Sequence, residues 1–226
     1  AHGLSRTHRT HAWIADVIKP WVGESVLEVG AGLGITTLKL LPRRSYTVGD
    51  DDSLNLDYLS SRFGNYTWLE VHKIDLAEPD DFAGLEACFD TVVCLSALEH
   101  VDRDRESLQS LSSTLSPGGA AIIMVPQGQW LHGTLDRVLG HRRRYSRREL
   151  REKCEAAGLE VDRLLSFNRA GLIPWFVNGK LLRRKRVNKL QLKLFDSLVW
   201  LWRLLDRALP IPGLSIIAIA RKPGNP

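Results

Sequence analysis

The chain has 226 residues, of which 44% are hydrophobic and 25% are charged. These values are ordinary for a globular protein, and they exclude disorder, collagen and a continuous coiled coil as descriptions of the whole chain. A chain of this length buries about 70% of its unfolded surface, so we expect it to fold without disulfide or metal staples. The net charge is +5, and it is unevenly distributed.

Two clusters contain twelve of the 31 Lys and Arg residues. The first basic cluster consists of Arg142, Arg143, Arg144, Arg147, Arg148 and Arg151. The second basic cluster consists of Lys180, Arg183, Arg184, Lys185, Arg186 and Lys189. The remaining 19 basic residues are outnumbered by 26 acidic ones, so the rest of the chain is net acidic. Clustered positive charge favours an anionic partner, such as a nucleic acid or a lipid surface.

Cysteine content and hydropathy indicate a cellular compartment. Cys88, Cys94 and Cys154 are odd in number and lack the spacing of metal ligands, so we expect reduced free thiols. No uninterrupted apolar stretch reaches about 18 residues, which argues against a membrane-spanning helix, and no signal peptide is visible. We therefore expect a cytoplasmic protein, with peripheral attachment to the membrane left open.

Helix and strand patterns alternate along the first part of the chain. An amphipathic helix is predicted over residues 7–21, with Thr7 or Thr10 as its cap. Strands are then predicted over 25–29, 46–48, 66–74, 89–95 and 120–125, and helices over 35–41, from a cap at Ser53, and over 107–115.

The pattern changes after Pro126. Ser146 and Glu149 have the spacing of a capping box, which predicts a helix ending near Ala157. Strands are predicted over 159–167 and 214–220, and about 45 residues rich in Trp, Leu and basic side chains separate them. That length is unusual for a plain connection, so we interpret the stretch as a functional insertion.

Alternating strands and helices predict an α/β fold, with a Rossmann-like, seven-stranded, mostly parallel sheet covered by helices on both faces. The helical insertion comes before the last strand. We expect a single domain over 1–226. Its parts are an N-terminal helix (1–22), a cofactor-binding core (23–167), a helical cap (168–209), and the last strand with a tail (210–226).

A glycine-rich loop follows the first strand and precedes a helix. Glu28 stands just before Gly30, Gly32 and Gly34, which have the spacing G-x-G-x-G. A dinucleotide fingerprint would place its third glycine at position 35, where Ile35 stands. A carboxylate at position 28 would also repel a pyrophosphate, so the loop favours a ligand that carries a cationic amine.

An acidic side chain about 20 residues further along can bind ribose hydroxyls in folds of this type. Asp51 is the best candidate, although its neighbours Asp50 and Asp52 leave the register uncertain by one residue.

The chain resembles the class I S-adenosylmethionine-dependent methyltransferases at five places in the expected order. The motifs are VLEVGAGLG (26–34), YTVGDDDS (46–53), KIDL (73–76), FDTVVCLSALEHV (89–101) and LSPGG (115–119). The segment LGHRRRYS (139–146) also resembles small-molecule methyltransferases of the UbiE/type-11 kind.

The resemblance implies S-adenosylmethionine as cofactor and assigns the residues that would hold it. Glu28 would face the methionyl end, Asp51 would hold the ribose, and Asp75 would meet the adenine amine. The full set implied to bind the cofactor is Glu28, Gly30, Ala31, Gly32, Gly34, Asp51, Asp52, Asp75, Leu76, Leu95 and Ser96. No metal site is expected.

His100 is the candidate catalytic residue. It would lie just beyond strand four, where an imidazole could remove a proton from an acceptor hydroxyl or amine. It could equally hydrogen-bond the backbone and shape the loop, and Glu99 could orient it or cap the next helix. The candidate substrate-binding residues are His132, His141, Arg144 and Tyr145.

The expected reaction is methyl transfer to oxygen or nitrogen of a small-molecule, glycan or lipid-linked acceptor. An RNA methyltransferase is one alternative, but nucleic acid is disfavoured because Leu95-Ser96-Ala97-Leu98 replaces the Asn/Asp-Pro-Pro-Tyr motif of amino-adenine enzymes. The other alternative is a non-catalytic protein that docks at membranes. The Leu- and Trp-rich insertion suits either a core-packed cap or an interfacial helix in contact with anionic lipid. The oligomeric state is left open.

Overall fold

A mixed β-sheet forms the centre of the computed structural model, which describes residues 7–186 and 189–224. Its seven strands are β1 (Ser25–Val29), β2 (Ser45–Asp50), β3 (Leu69–Lys73), β4 (Phe89–Leu95), β5 (Leu115–Pro126), β6 (Glu160–Phe167) and β7 (Ser215–Arg221). Their spatial order is β3-β2-β1-β4-β5-β7-β6. The first five strands pair in parallel, and β7 is antiparallel to both β5 and β6. The predicted fold class is confirmed.

Helices connect the strands and cover the sheet. Those of the sheet domain are α1 (His8–Ile18), α2 (Thr37–Leu40), α3 (Ser53–Phe63), α4 (Asp104–Thr114), α5 (Thr134–Leu139) and α6 (Arg147–Ala156). The insertion contributes α7 (Leu172–Phe176), a π-helical turn (Val177–Leu181), α8 (Lys189–Ser197) and α9 (Val199–Ala208). In the described part of the chain, no helix combines the length and apolar character needed to cross a membrane.

Apolar side chains alternate between the two faces of the sheet. Leu27 and Val92 pack in one core with Leu108 of α4 and Leu150 of α6. Val26, Val48 and Val93 pack in the other core with Trp13 and Ile14 of α1 and Phe63 of α3. This burial on both faces is typical of parallel strands and explains why the strands are nearly all apolar.

The insertion packs on the N-terminal helix. Asp196 in α8 accepts hydrogen bonds from the backbone nitrogens of Arg9 (3.2 Å) and Thr10 (2.8 Å) and from the Thr10 hydroxyl. Val199 of α9 is buried in the same core as Trp13. The insertion is therefore anchored to α1, on the face of the sheet that α1 covers.

Several predicted boundaries differ from the structure. Strand β5 begins at Leu115, five residues before the prediction, and α4 begins at Asp104, three residues before it. Helix α2 begins only at Thr37. It follows a turn in which the Gly34 nitrogen donates to the Ala31 carbonyl and Gly34 has a φ of +64°. Strand β3 begins at Leu69, since the Leu69 nitrogen donates to the Tyr66 carbonyl and closes a turn. Helix α3 is capped by Asp52, whose carboxylate accepts from the Leu54 nitrogen at 2.8 Å, and Ser53 is its first helical residue.

Candidate active site

A pocket of about 420 Å³ lies at the carboxyl ends of β1, β2 and β4. This edge is where ligands bind in open α/β sheets. Eight residues singled out from the sequence line it: Gly30, Gly32, Asp51, Asp52, Asp75, Leu76, Ser96 and His100. Asp50, Asn55 and Ala97 also belong to its wall. The chain therefore brings most of the predicted cofactor residues to one place.

The three loop glycines all have positive φ, but only one of them has open space beside it. A Cβ on Gly30 would lie 2.6 Å from the Ala97 Cβ, and a Cβ on Gly34 would lie 2.7 Å from the Phe63 ring. A Cβ on Gly32, where φ is +57°, would meet no atom within 4 Å. Packing thus requires Gly30 and Gly34, whereas Gly32 leaves room for a ligand to approach the backbone. This cradle fits the methionyl part of S-adenosylmethionine.

Asp50 stabilises the glycine loop, and its contacts show which of the three aspartates faces the pocket. Its carboxylate is buried and accepts hydrogen bonds from the Gly32 nitrogen (2.8 Å), the Asp52 nitrogen (3.1 Å) and the Asn55 side chain (2.9 Å). Asp52 is used as the helix cap, which leaves the exposed Asp51 carboxyl on the pocket wall. The pKa of Asp51 is raised, first by partial burial and then by the charge of Asp50. The roles of Asp50 and Asn55 were not predicted.

Asp75 follows β3 and Ser96 follows β4, so these two residues line the pocket on either side of the loops after β1 and β2. Asp75 holds its own turn, because its carboxylate accepts from the Ala77 nitrogen at 2.8 Å while its backbone nitrogen donates to Asp81 at 2.9 Å. Ser96 has a φ of +55°, and its nitrogen donates to the Met124 carbonyl at 2.8 Å. A left-handed conformation outside glycine costs about 1–3 kcal/mol and is concentrated at functional sites.

Four of the predicted cofactor residues do not line the pocket. Gly34, Ala31 and Leu95 lie behind the loop or at the end of β4. The Glu28 side chain was expected to face the pocket, but it does not reach it. One of its carboxylate oxygens accepts hydrogen bonds from the hydroxyls of Thr37 (2.7 Å) and Tyr46 (2.8 Å), because the side chain points into the core beneath α2. Burial raises the pKa of Glu28 to about 7.

His100 stands at the end of a 3₁₀ turn (Leu98–His100) that follows β4. Its Nδ1 lies 3.2 Å from the Gly140 carbonyl oxygen. Because a carbonyl can only accept, Nδ1 carries the proton and Nε2 keeps its lone pair. Burial, followed by the neighbouring His141, lowers the pKa of His100, so the imidazole is neutral at neutral pH.

His141 and Arg144 meet at Asp136, a residue that the sequence did not reveal. Asp136 accepts from His141 Nδ1 (3.1 Å), Arg144 Nε (2.7 Å), the Trp175 indole (3.2 Å) and the Gly133 nitrogen (2.9 Å). Burial by itself would raise the pKa of Asp136, but the His141 hydrogen bond and the Arg144 charge hold it well below its usual range.

The other residues predicted to bind the substrate contact groups within the protein. His132 Nε2 lies 3.1 Å from the His141 carbonyl oxygen. Arg144 is buried, and its guanidinium stands 5.0 Å from the centre of the Trp175 ring. Tyr145 lies in the core instead of at an acceptor site, because its fully buried hydroxyl donates to Asp104 at 2.8 Å.

The first basic cluster is largely paired within the protein. Arg142 binds Asp102, and Arg143 binds Asp104, which also contacts Lys153. The ion pairs of these arginines connect the loop after α5 to the start of α4. Because the pairs neutralise most of their charge, the arginines attract an external anion only weakly.

A second cavity, of about 220 Å³, lies between the insertion, α1 and α5. Leu135, Trp175, Leu192, Phe195 and Leu214 provide apolar parts of its wall. Trp175 connects this cavity to the histidines, because its ring stacks on His141 with the centres 6.4 Å apart. His141 in turn stands edge-on to His100, with their ring centres 5.1 Å apart.

Comparisons with known proteins identify the family to which the sequence is similar. The family described as "Methyltransferase domain" matches residues 6–164. An uncharacterized methyltransferase of Mycobacterium tuberculosis is 31% identical over 114 residues, which are 49% of this chain and 55% of that protein. The ubiquinone biosynthesis O-methyltransferase of Idiomarina loihiensis is 28% identical over 61% of this chain and 62% of that protein. The chain thus spans just over half the length of the curated relatives it matches.

Solved structures share the fold at low sequence identity. An S-adenosylmethionine dependent methyltransferase of Mesorhizobium loti has a TM-score of 0.64 at 13% identity, covering 92% of this chain and 95% of its own. The [4+2]-cyclase SpnF has a TM-score of 0.66 at 16% identity, covering 95% and 81%. Because so similar a fold occurs in a cyclase, these likenesses establish the fold alone. The family match extends over more than half of the sequence, and the chain therefore belongs to the methyltransferase-domain family.

Proposed function

We propose that this chain transfers the methyl group of S-adenosylmethionine to an oxygen or nitrogen of a small-molecule, glycan or lipid-linked acceptor. The observation that carries the proposal is the pocket at the sheet edge, which the open face of Gly32 lines together with Asp51 and Asp75. When bound, the cofactor supplies a methyl group already activated by its sulfonium.

The pocket residues divide the binding work. Gly32 admits the methionyl part, and the Asp51 carboxylate accepts hydrogen bonds from the ribose hydroxyls. Asp75 and Leu76 contact the adenine, and Ser96 forms the bottom of the pocket. Glu28 contributes indirectly, because its bonds to Thr37 and Tyr46 fix the end of β1 from which the loop starts.

His100 has the geometry of a proton acceptor, on the side of the pocket where the substrate that receives the methyl group would bind. The Gly140 carbonyl orients its ring and leaves Nε2 free, and the lowered pKa keeps that nitrogen unprotonated. Removal of a proton from a hydroxyl or amine would increase the nucleophilicity of the attacking atom. Positioning that atom in line and excluding water supply the rest of the rate enhancement.

The second cavity supports an acceptor with an apolar part. Leu, Phe and Trp supply five of its thirteen lining residues, and Trp175 and His141 lie between it and His100. The relative from Idiomarina loihiensis is named for ubiquinone biosynthesis, which is consistent with a lipid-linked acceptor. The internal pairing of Arg142 and Arg143 supports the expectation that nucleic acid is not the acceptor.

An anionic lipid surface is a second proposed partner, and it would suit a cytoplasmic protein attached peripherally to a membrane. Leu190 and Leu194 of α8 are 74% and 60% exposed, and Trp200 and Leu204 of α9 are 65% and 61% exposed. Within each helix the two residues are four apart and share a face. The exposed residues 183–186 of the second basic cluster precede α8 and form no ion pair with a described residue. Apolar side chains beside unpaired basic ones are the composition of an interfacial surface.

Calorimetry with adenosylhomocysteine tests the placement of the cofactor. Asparagine tolerates positive φ, so Gly32→Asn should fold normally while its side chain fills the pocket. We expect adenosylhomocysteine binding to be abolished. Gly118→Asn is the matched control, because Gly118 has a φ of +79°, has no atom within 4 Å of its Cβ position, and lies at the start of β5.

A second pair of variants tests the ribose contact. Loss of a charged hydrogen bond costs about 1.5–3 kcal/mol, so Asp51→Asn should weaken binding about 10- to 100-fold. Asp57→Asn, at an exposed position of α3, should change nothing. Unchanged affinity in both Gly32→Asn and Asp51→Asn would refute the proposed cofactor site.

Methyl transfer into fractionated extracts then identifies the acceptor class. With a radiolabelled methyl donor, label should enter a small-molecule or lipid fraction. Label in RNA would favour the alternative acceptor. Binding of the cofactor without transfer to any fraction would indicate a non-catalytic binding protein.

A further inference from the structure

Three side chains that converge beside the pocket have the composition of a metal site. Glu99, His100 and His141 each present one ligand atom, and these atoms all lie within 4.8 Å of one another. Glu99 Oε1 is 3.8 Å from His141 Nε2. Two of the residues come from the turn after β4 and the third from the loop after α5, so the fold itself brings them together.

The Glu99 carboxyl is the unusual member of this group. Its side chain is 1% exposed, and its Oε2 is buried without a hydrogen-bond partner among the described residues. Leaving a buried carboxylate unpaired costs several kcal/mol, so such groups are neutralised by a proton, an ion pair or a metal.

Both histidines are oriented as metal ligands are. His141 Nδ1 is bonded to Asp136 at 3.1 Å, and His100 Nδ1 to the Gly140 carbonyl oxygen at 3.2 Å. Metal-binding histidines almost always donate their second ring nitrogen to a carboxylate or a carbonyl, which fixes the tautomer. Both Nε2 atoms therefore keep their lone pairs for a common ligand.

The local charge permits a cation. Arg144 is the nearest positive group to Glu99, but its Nε is committed to Asp136 at 2.7 Å. Asp136 and Arg144 together are neutral, which leaves the charge of Glu99 for an ion. Arg142, on the other side of His100, is paired with Asp102.

We propose that Glu99, His100 and His141 bind one divalent transition-metal ion of the zinc or cobalt class. Two imidazoles and a carboxylate suit these ions, with ligand distances of about 2.0–2.2 Å. Two ligands of a tetrahedral ion at these distances are about 3.3–3.6 Å apart, so the widest pair closes by about 1.2–1.5 Å when the ion binds. His100 lines the pocket, so the free coordination positions face the space beside the cofactor.

The site gives the acceptor a specific chemistry, and this part of the inference rests on the proposed function. A hydroxyl bound to the ion would release its proton to solvent water near neutral pH, because a divalent metal lowers the pKa of a bound hydroxyl. The ion would then occupy the His100 Nε2 that otherwise accepts the proton. Metal binding and proton acceptance are alternative uses of one atom, and experiment decides between them.

Cobalt binding tests the site without any turnover. Tag-free protein, stripped of metal with a chelator, is titrated with Co²⁺, and we expect visible absorption bands that saturate at one ion per chain. Glu99→Gln and His141→Gln should each weaken Co²⁺ binding by more than tenfold, since even second-shell changes cost about 10- to 100-fold. His72→Gln is the matched control, because His72 lies on β3 beside Glu70 and away from the pocket.

The outcomes separate this inference from the proposed function. Absence of saturable Co²⁺ binding, or equal binding by wild type and both variants, overturns the metal site. Circular dichroism confirms that the variants fold, and His100→Gln serves as a third variant if Glu99→Gln unfolds. Adenosylhomocysteine affinity is measured on the same metal-free samples, so loss of the metal proposal leaves the cofactor proposal independently tested.

Discussion

Single buried acids organise the cofactor edge of this protein. Glu28 sits beneath the glycine loop with the hydroxyls of Thr37 and Tyr46 on one carboxylate oxygen. Asp50 holds the Gly32 nitrogen from the end of β2. Both side chains are buried, so their contribution is to fix backbone geometry, and the solvent-exposed Asp51 lines the pocket.

Glu28 should make the stability of the fold depend on pH. Its folded pKa of about 7 lies above the ordinary glutamate value of 4.5. Between these values the folded state holds more protons, so stability falls as pH rises through this window and stays low above it. Glu28→Gln keeps an oxygen for both hydroxyls and removes the titration. Relative to wild type, the variant should gain about 1–3 kcal/mol between pH 4.5 and pH 8, since each unit of pKa shift corresponds to about 1.4 kcal/mol.

Urea unfolding at several pH values measures this difference. Glu24→Gln is a suitable control, because Glu24 is exposed just before β1 and its side chain contacts Arg43 and the Arg44 backbone nitrogen. A constant difference between wild type and Glu28→Gln across the range would show that Glu28 titrates normally in the folded state.

The contacts of individual side chains were the features that the sequence predicted least well. The GDDD run placed an acid at the pocket, but only the bonds of Asp50 and Asp52 show why Asp51 is the free one. Asp136 and its four donors could not be found in advance, because Gly133, His141, Arg144 and Trp175 converge on it only in the folded chain. Tyr145 was misassigned for the same reason: its partner, Asp104, is 41 residues away.

At the scale of elements, periodicity predicted most of the strands well. Buried parallel strands are short apolar runs that end at glycine, aspartate or proline, and this pattern is visible in the sequence. The errors lie where loop chemistry overrides periodicity, as in the four-residue helix α2 behind three positive-φ glycines. The insertion was recognised from its length, but its contact with α1 depends on Asp196, which carries no sequence signal.

Helices α8 and α9, with the basic residues before them, form the proposed lipid-binding surface. Reversing Arg183, Arg184, Lys185 and Arg186 to Glu should weaken co-sedimentation with phosphatidylserine-containing vesicles by more than tenfold at low salt, since each basic residue contributes about 1 kcal/mol near an anionic surface. The loss should shrink as added salt screens the attraction. Fold and adenosylhomocysteine affinity should not change, because these side chains are exposed and outside the cofactor pocket.

A charge-matched variant separates this surface from a general effect of charge. Lys39, Lys73, Arg105 and Arg163 are exposed residues outside the insertion, and their reversal to Glu changes the net charge by the same amount. If both quadruple variants lose vesicle binding equally, the attraction is non-specific. If wild type does not sediment with the vesicles at all, the proposed lipid surface is refuted.

At the scale of the whole molecule, the sheet and the pocket form one cooperative unit. The glycine loop, the β2 end and the turn after β4 all lie at one sheet edge, and their strands are buried centrally in the order β2-β1-β4. A ligand that bridges the ends of these strands stabilises the folded state and not the unfolded chain. Its binding energy should therefore appear in the melting temperature.

Adenosylhomocysteine should raise the melting temperature, and NAD at the same concentration should not. At 100 times its Kd, a ligand specific for the native state adds about 2.7 kcal/mol. For a chain of this size each kcal/mol corresponds to about 2–4 °C, so we expect a shift of about 5–10 °C. The choice between the two ligands follows from the loop, because Ile35 stands where a dinucleotide fingerprint needs its third glycine. Gly32→Asn should abolish the shift and Gly118→Asn should retain it. A larger shift with NAD than with adenosylhomocysteine would mean that this edge of the sheet binds a dinucleotide.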